Sequence, residues 1–363
     1  MTNQRDEAVG ITSLAPEAIL REERSALRVH SMRHSPLRLV AACACVIATF
    51  ASQAIAESVT TYRGICSASA GIDLGSGHFV VADDEMNLLV VYRYDSPDYV
   101  TTVDLWDFLR GSDGKKEADL EGAARIGDRI YWIGSHSRNT NAELRPTRHR
   151  LFATRIDTTR AKPTVKQIGT KPYDGLLEAI TADKRFSELR DASARGAEQP
   201  KGLNIEGLAA TEDGGLLIGF RNPLSGEKDM ALVLKLKNPA AVVEQNAAPV
   251  FGDLIRLDLG QRGIRSMERV GSEYFIVAGP LDDGVPGTPS SKFSIYKWSG
   301  EPGAAAVHWK DISPPDLHIE GLFEIAGTKQ LYLLSDDGGG RENCTNKKVP
   351  SDDKTFRGMR VAF

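Results

Sequence analysis

Residues 120–134 read Leu-Glu-Gly-Ala-Ala-Arg-Ile-Gly-Asp-Arg-Ile-Tyr-Trp-Ile-Gly. An apolar residue and a Glu-Gly pair open a short strand-like run. A turn and a second, strongly apolar strand follow. The pattern recurs at Ile205-Glu206-Gly207 with Leu216-Leu217-Ile218-Gly219, and at Ile319-Glu320-Gly321 with Leu331-Tyr332-Leu333-Leu334. A degenerate copy pairs Ile264-Arg265-Ser266 with Tyr274-Phe275-Ile276-Val277, and the first copy pairs Ala70-Gly71-Ile72 with Phe79-Val80-Val81. Self-similarity at such a period is the signature of a repeat architecture.

Aligned on the Glu position, the copies fall at residues 70, 121, 206, 265 and 320, with steps of 51, 85, 59 and 55. The long step holds residues 171–200, where Leu176, Leu177, Ile180 and Phe186 have helical spacing. Without that insertion all units have similar length. Third strands are expected at Leu88–Tyr94, Arg150–Ile156, Ala231–Leu236, Phe293–Trp298 and Phe356–Phe363, and fourth strands at Tyr99–Leu105, Val165–Ile168, Leu254–Leu259 and Val307–Ile312. The last unit runs out of chain before its fourth strand, and Ser58–Arg63 can supply one. Closing a ring in this way removes the exposed sheet edges of an open array. The expected fold is therefore all-β, a β-propeller of five blades with a short helical insertion. Six blades and an all-β sandwich are the competing readings.

The first residues read differently. Residues 1–31 are polar, with no periodic apolar face, and suggest an extension upstream of a start at Met32. Basic residues Arg33 and Arg38, a thirteen-residue apolar run from Leu39 to Ala51, and Ala54-Ile55-Ala56 then compose a signal peptide over 32–56. The run is short of the roughly 20 residues that cross a bilayer. A lipobox reading of Val40-Ala41-Ala42-Cys43 is disfavoured, because little apolar sequence separates Met32 from that cysteine. Export to the periplasm or beyond is expected, with the propeller over 57–363. That span carries 39 basic and 44 acidic residues, a net charge of −5, which offers no footprint for nucleic acid or an anionic membrane. No later segment has transmembrane length. Only Cys66 and Cys344 remain after cleavage, a disulfide candidate at the two ends of the ring, against the alternative of two unpaired thiols.

In a propeller the first strand of each blade lies nearest the axis, and its start shares a face with the end of the second strand. Glu121, Glu206 and Glu320 are thereby expected around one channel mouth, with Ala70 and Arg265 completing the ring. Second-strand ends bring Asp83, Asp84, His136, Arg138, Arg221, Asn222, Asp282, Asp283, Asp336 and Asp337 to the same face. The polar setting of His136 suggests an exposed loop residue. Two readings of the glutamates stand side by side. They hold a hard cation such as Ca²⁺, which takes six to eight oxygens, or they form an ion-pair belt with Arg265. No nucleophile elbow, phosphate-binding glycine loop or zinc spacing is present.

At the Glu-Gly repeats and the Ser135-His136-Ser137-Arg138 segment, the chain resembles a bacterial family of exported proteins, domain of unknown function 3616, over most of residues 60–363. That resemblance implies architecture. More distantly, the Asp/Asn-x-Glu-Gly-Leu strand start is similar to that of calcium-dependent propellers, including phytase-like esterases and gluconolactonases. It implies a metal-binding role for Glu121, Glu206 or Glu320, with Arg265 departing from the acidic pattern. Two functions are expected from this: a module that binds a small molecule or exported protein at the channel face, or a calcium-dependent hydrolase of phosphoesters or lactones.

Overall fold

Apolar runs such as Ile130-Tyr131-Trp132-Ile133 are buried on both faces, whereas Val307-His308-Trp309-Lys310 is largely exposed. That gradient, from continuous apolar strands to polar ones, arranges each repeat as a sheet with its first strand inside and its fourth at the rim. A computed structural model describes residues 58–110, 116–159, 162–281, 292–339, 344 and 350–363. The expected extension and signal peptide lie outside the described residues.

Strand β1 (Val59–Gly64) precedes the first blade, which holds β2 (Ala68–Gly75), β3 (His78–Asp83), β4 (Leu88–Arg93) and β5 (Ser96–Asp104). The second blade holds β6 (Leu120–Ile126), β7 (Arg129–Gly134), β8 (Leu151–Asp157) and β9 (Thr164–Gln167). The third holds β10 (Asn204–Ala210), β11 (Leu216–Asn222), β12 (Ala231–Leu236) and β13 (Phe251–Leu257). The fourth holds β14 (Gly263–Val270), β15 (Glu273–Gly279), β16 (Ser294–Trp298) and β17 (Val307–Asp311). The fifth holds β18 (Ile319–Glu324), β19 (Gln330–Ser335) and β20 (Ser351–Ala362), and takes β1 as its outermost strand.

These are five antiparallel four-stranded sheets, and the chain is a five-bladed β-propeller. Each first strand lies against the next, β2 to β6 to β10 to β14 to β18, and β18 returns to β2. The core is divided accordingly into five apolar clusters, each at a seam between neighbouring blades. Helices α1 (Trp106–Leu109) and α4 (Pro239–Gln245) lie in connections where no helix was expected from sequence. The insertion contains α2 (Leu176–Ala182) and α3 (Ser187–Ala192), and sinks Leu176, Ile180, Phe186 and Leu189 into the seam between the second and third blades.

The closing strand is held in three ways. It pairs with β20 from Val59↔Met359 to Arg63↔Thr355. Tyr62, fully buried, stacks on Phe356 at 5.1 Å between ring centroids, meets Phe79 and Tyr92 edge-on, and sets its hydroxyl 2.5 Å from that of Tyr332. Cys66 is disulfide-bonded to Cys344 across 278 residues, as the cysteine count suggested. Tyr62→Ala should leave a cavity where the ends of the ring meet and cost about 3–5 kcal/mol, as large aromatic truncations do. Urea unfolding of the variant measures it.

Candidate functional site

Near its start, every first strand carries an extra residue. The ladder register skips Ser69 in β2, Glu121 in β6, Glu206 in β10, Arg265 in β14 and Glu320 in β18. Such a bulge leaves one residue unpaired and turns its side chain away from the pleat. Here it is repeated round the axis and aims five polar side chains at one channel mouth. The glycine after the glutamate permits the close approach of the next blade: a Cβ on Gly207 would lie 2.7 Å from Ile264 Cγ2. The repeat therefore places Glu121, Glu206, Arg265 and Glu320 as expected. Ala70 is corrected to Ser69, because the unpaired residue in β2 falls one position earlier.

Arg265 divides the glutamates. Its Nε lies 2.8 Å from Glu206 Oε2, and its Nη2 contacts Glu320 Oε1. Its Nη1 donates to the Pro280 carbonyl at 3.2 Å. Glu206 Oε1 also accepts from Arg221 Nη1 and Asn204 Nδ2, both at 2.9 Å. Glu320 Oε2 accepts from Ser69 Oγ at 3.4 Å. Two of the three glutamates are thus spanned by one guanidinium, so the trio Glu121, Glu206 and Glu320 does not fit a shared cation.

Glu121 stands apart. It is 7% exposed and has no hydrogen bond or ion pair among the described residues. Oxygens of Asp84, Asp119 and Glu121 all lie within 4.8 Å of one another. Asp84 enters from the loop after β3, and its Oδ1 is buried with no hydrogen-bond partner among the described residues. Asp119 precedes β6, forms an ion pair with Arg148 Nη1 at 2.8 Å and accepts from Ser135. Burial holds the Glu121 carboxyl well above its ordinary range, and Asp119, Glu206 and Glu320 push it further. Asp84 is raised well above its range by burial, then by Asp336 and Glu121. Asp119 is raised by burial even with Arg148 opposing. Carboxylates crowded in this way gain from a proton or a cation.

The remaining face residues have varied roles. Asp83 is pushed up to about 7 by burial, and it accepts from the backbone N–H groups of Ser67 and Glu85. Asp336, also pushed up to about 7 by burial and by Glu320, accepts from Gly338 N–H at 2.8 Å. Asp337 is gripped by Arg357 at 2.7 and 2.9 Å. Beside them a cleft of about 350 Å³ opens, lined by Asp316, His318, Asp336, Asp337 and Arg357 among others. His136 is corrected from exposed to buried, at 1% exposure. It bends back through a φ of 54° to place Nδ1 2.9 Å from the Gly134 carbonyl, stacks on His149, and is driven down to about 3 by burial. Arg138 and Asn222 hold the insertion, donating to the carbonyls of Ser193, Ala197 and Gln199. Asp282 and Asp283 lie outside the described residues.

Sequence reasoning passed over Asp119 and Ser69. Asp119 is the first residue of an Asp-x-Glu-Gly start, and that motif was its signal. Ser69 left none, since a one-residue bulge is silent in sequence.

An acidic channel mouth on a five-bladed propeller is the class that fold and site define. The family is shown by its model, described as "Protein of unknown function (DUF3616)", which matches residues 67–155 and 147–329, and the chain belongs to that family. No curated protein matches the chain. Among solved structures it is similar to Myxococcus xanthus glutaminyl cyclase, with 9% identity over 85% of this chain and 98% of that one, at a TM-score of 0.40. It is similar also to the PQQ-bound aldose sugar dehydrogenase of Streptomyces coelicolor, with 9% identity over 84% and 98%, at a TM-score of 0.41. At that distance neither carries an argument about chemistry.

Two outcomes check this electrostatic account. Arg265→Met removes the guanidinium shared by a buried and a partly buried carboxylate and should cost about 3–5 kcal/mol by chemical denaturation, with Glu206→Gln on the same background recovering part. Near the other end of the channel, burial and the neighbouring Glu324 push the Glu268 carboxyl up to about 8. The folded chain keeps there a proton that the unfolded chain releases near pH 4.3, about the usual value for Glu. This stabilisation is present below that pH and lost as pH rises through about 8. Melting temperature against pH should therefore fall across that window, and fall less in Glu268→Gln.

Proposed function

We propose that this chain is an exported binding module that takes a hard divalent cation, calcium, at Asp84, Asp119 and Glu121. The adjoining cleft serves as the seat of a small ligand. One observation carries the reading: a buried glutamate with no hydrogen bond or ion pair among the described residues lies close to two further carboxylates. An all-oxygen donor set suits Ca²⁺ over softer metals, and three carboxylates leave coordination positions for water or for a ligand. Bound there, the ion would supply positive charge to Asp84 and Glu121, which form no ion pair among the described residues. The protein residues hold it: Arg148 and Ser135 orient Asp119, and the β6 bulge aims Glu121. Cleft volume is on the scale of a small-molecule site, and Asp336 borders it on the mouth side. Export is supported by the disulfide, which persists in oxidising compartments. Among the described residues, no helix is long and apolar enough to cross a membrane.

Calcium titration of EDTA-treated protein, followed by melting temperature, tests the site. Binding to the native state should add about 2.7 kcal/mol at a calcium concentration one hundred times Kd. Glu121→Gln should lose the shift, while Glu206→Gln, in the Arg265 belt, should keep it. An unshifted wild-type protein would end the calcium reading. Calcium-dependent turnover of a phosphoester or lactone, lost in Glu121→Gln, would replace the binding module with a hydrolase.

A further inference from the structure

The loop that presents Asp84 is tied to the ring closure through a hinge, Cys66 and Ser67, the last two of the three residues between β1 and β2. The Cys66 carbonyl accepts from Asp337 N–H at 3.1 Å, and the Ser67 carbonyl accepts from Asp84 N–H at 3.4 Å. Ser67 N–H donates to Asp83 Oδ2 at 3.4 Å. Ser67 also bridges to Asp336, and the turn at Gly338 packs so closely that a Cβ there would lie 2.3 Å from Ser67 Oγ. One dipeptide thus carries the loop of the first blade that presents Asp84 and the loop of the fifth that presents Asp336. That dipeptide is covalently tied to Cys344.

We infer that the Cys66–Cys344 disulfide sets the affinity of the channel mouth for calcium, which makes the site redox-sensitive. The inference rests on the calcium reading above. With the bond intact, Cys66 is tied to Cys344 in the connection between β19 and β20, and the hinge holds Asp84 beside Asp119 and Glu121. With the bond reduced, ladder hydrogen bonds and Tyr62 still keep β1 on the sheet, but the hinge gains freedom. Asp84 must then be ordered at the moment of binding, and the entropy of ordering is subtracted from affinity. A dithiol is a sufficient reductant. It delivers two electrons and two protons, the S–S bond breaks, thiols form on Cys66 and Cys344, and the reagent leaves as its own disulfide.

Coupling of this kind is reciprocal: if the bond strengthens calcium binding by some factor, calcium stabilises the bond by the same factor. Linked sites typically differ by about 5–150-fold, and a tenfold effect on a two-electron couple corresponds to about 30 mV.

The experiment pairs two measurements on the chain from Glu57. Calorimetric titration with calcium chloride is run on oxidised protein, on dithiothreitol-reduced protein, and on a Cys66→Ser, Cys344→Ser double variant. The disulfide reduction midpoint is then measured with calcium and with EDTA. The expected result is calcium affinity about tenfold weaker in the reduced and double-variant proteins, with the midpoint about 30 mV more negative in calcium. Circular dichroism should show the sheets intact throughout. Equal affinity in oxidised and reduced protein, with an unmoved midpoint, overturns the coupling while leaving the site standing. Absence of binding to oxidised protein overturns the site and the coupling together. Loss of the β-sheet signal on reduction also overturns the inference, since the bond would then hold the fold instead of tuning the mouth.

Discussion

The last blade of this ring has its fourth strand only because chain from the other end of the propeller supplies it. Everything else in this propeller depends on that closure. Strand β1 on β20 fixes where β2 begins, hence which residues of the first blade face the axis, and it seals the aromatic seam between the fifth and first blades. The other four seams are covered by consecutive sequence and close as the chain folds. This one joins residues nearly three hundred positions apart, and it is reinforced by hydrogen bonds, buried rings and a covalent bond together.

Closure also organises the electrostatics. Five bulges aim polar groups at one mouth, and burial makes each charge costly unless it is answered. Arg265 answers two of them. Glu121, one blade farther from that guanidinium, is left with the carboxylates of the neighbouring loops. A single basic residue among the axial positions thus separates the ion-paired Glu206 and Glu320 from Glu121. Substituting the degenerate fourth repeat changes the character of its neighbours more than its own.

Fold and site were legible to different depths. The blades were readable because inner strands are buried on both faces and must be apolar throughout, so Phe79-Val80-Val81 and Leu331-Tyr332-Leu333-Leu334 announce themselves. The missing strand was readable as a deficit in the count. Side-chain direction was less so. An unpaired residue shifts the alternation by one without any mark in the sequence, which moved the axial position from Ala70 to Ser69. His136 sits among serines that are themselves buried and hydrogen-bonded to each other, so polar company did not mean solvent. Arg138 and Asn222 face the expected side, yet their partners belong to an insertion whose docking only tertiary structure reveals.

That insertion breaks the rotational equivalence of the blades. Residues 193–199 are bonded to the face of the second and third blades, and Glu188 reaches Ser225 and Arg256 on the third. The mouth is therefore walled on one side and open on the other, where the cleft lined by Asp316, His318 and Arg357 begins. Under the proposed binding role, a ligand would meet a gateway with a direction, over the closing blade and past the seam that joins β1 to β20.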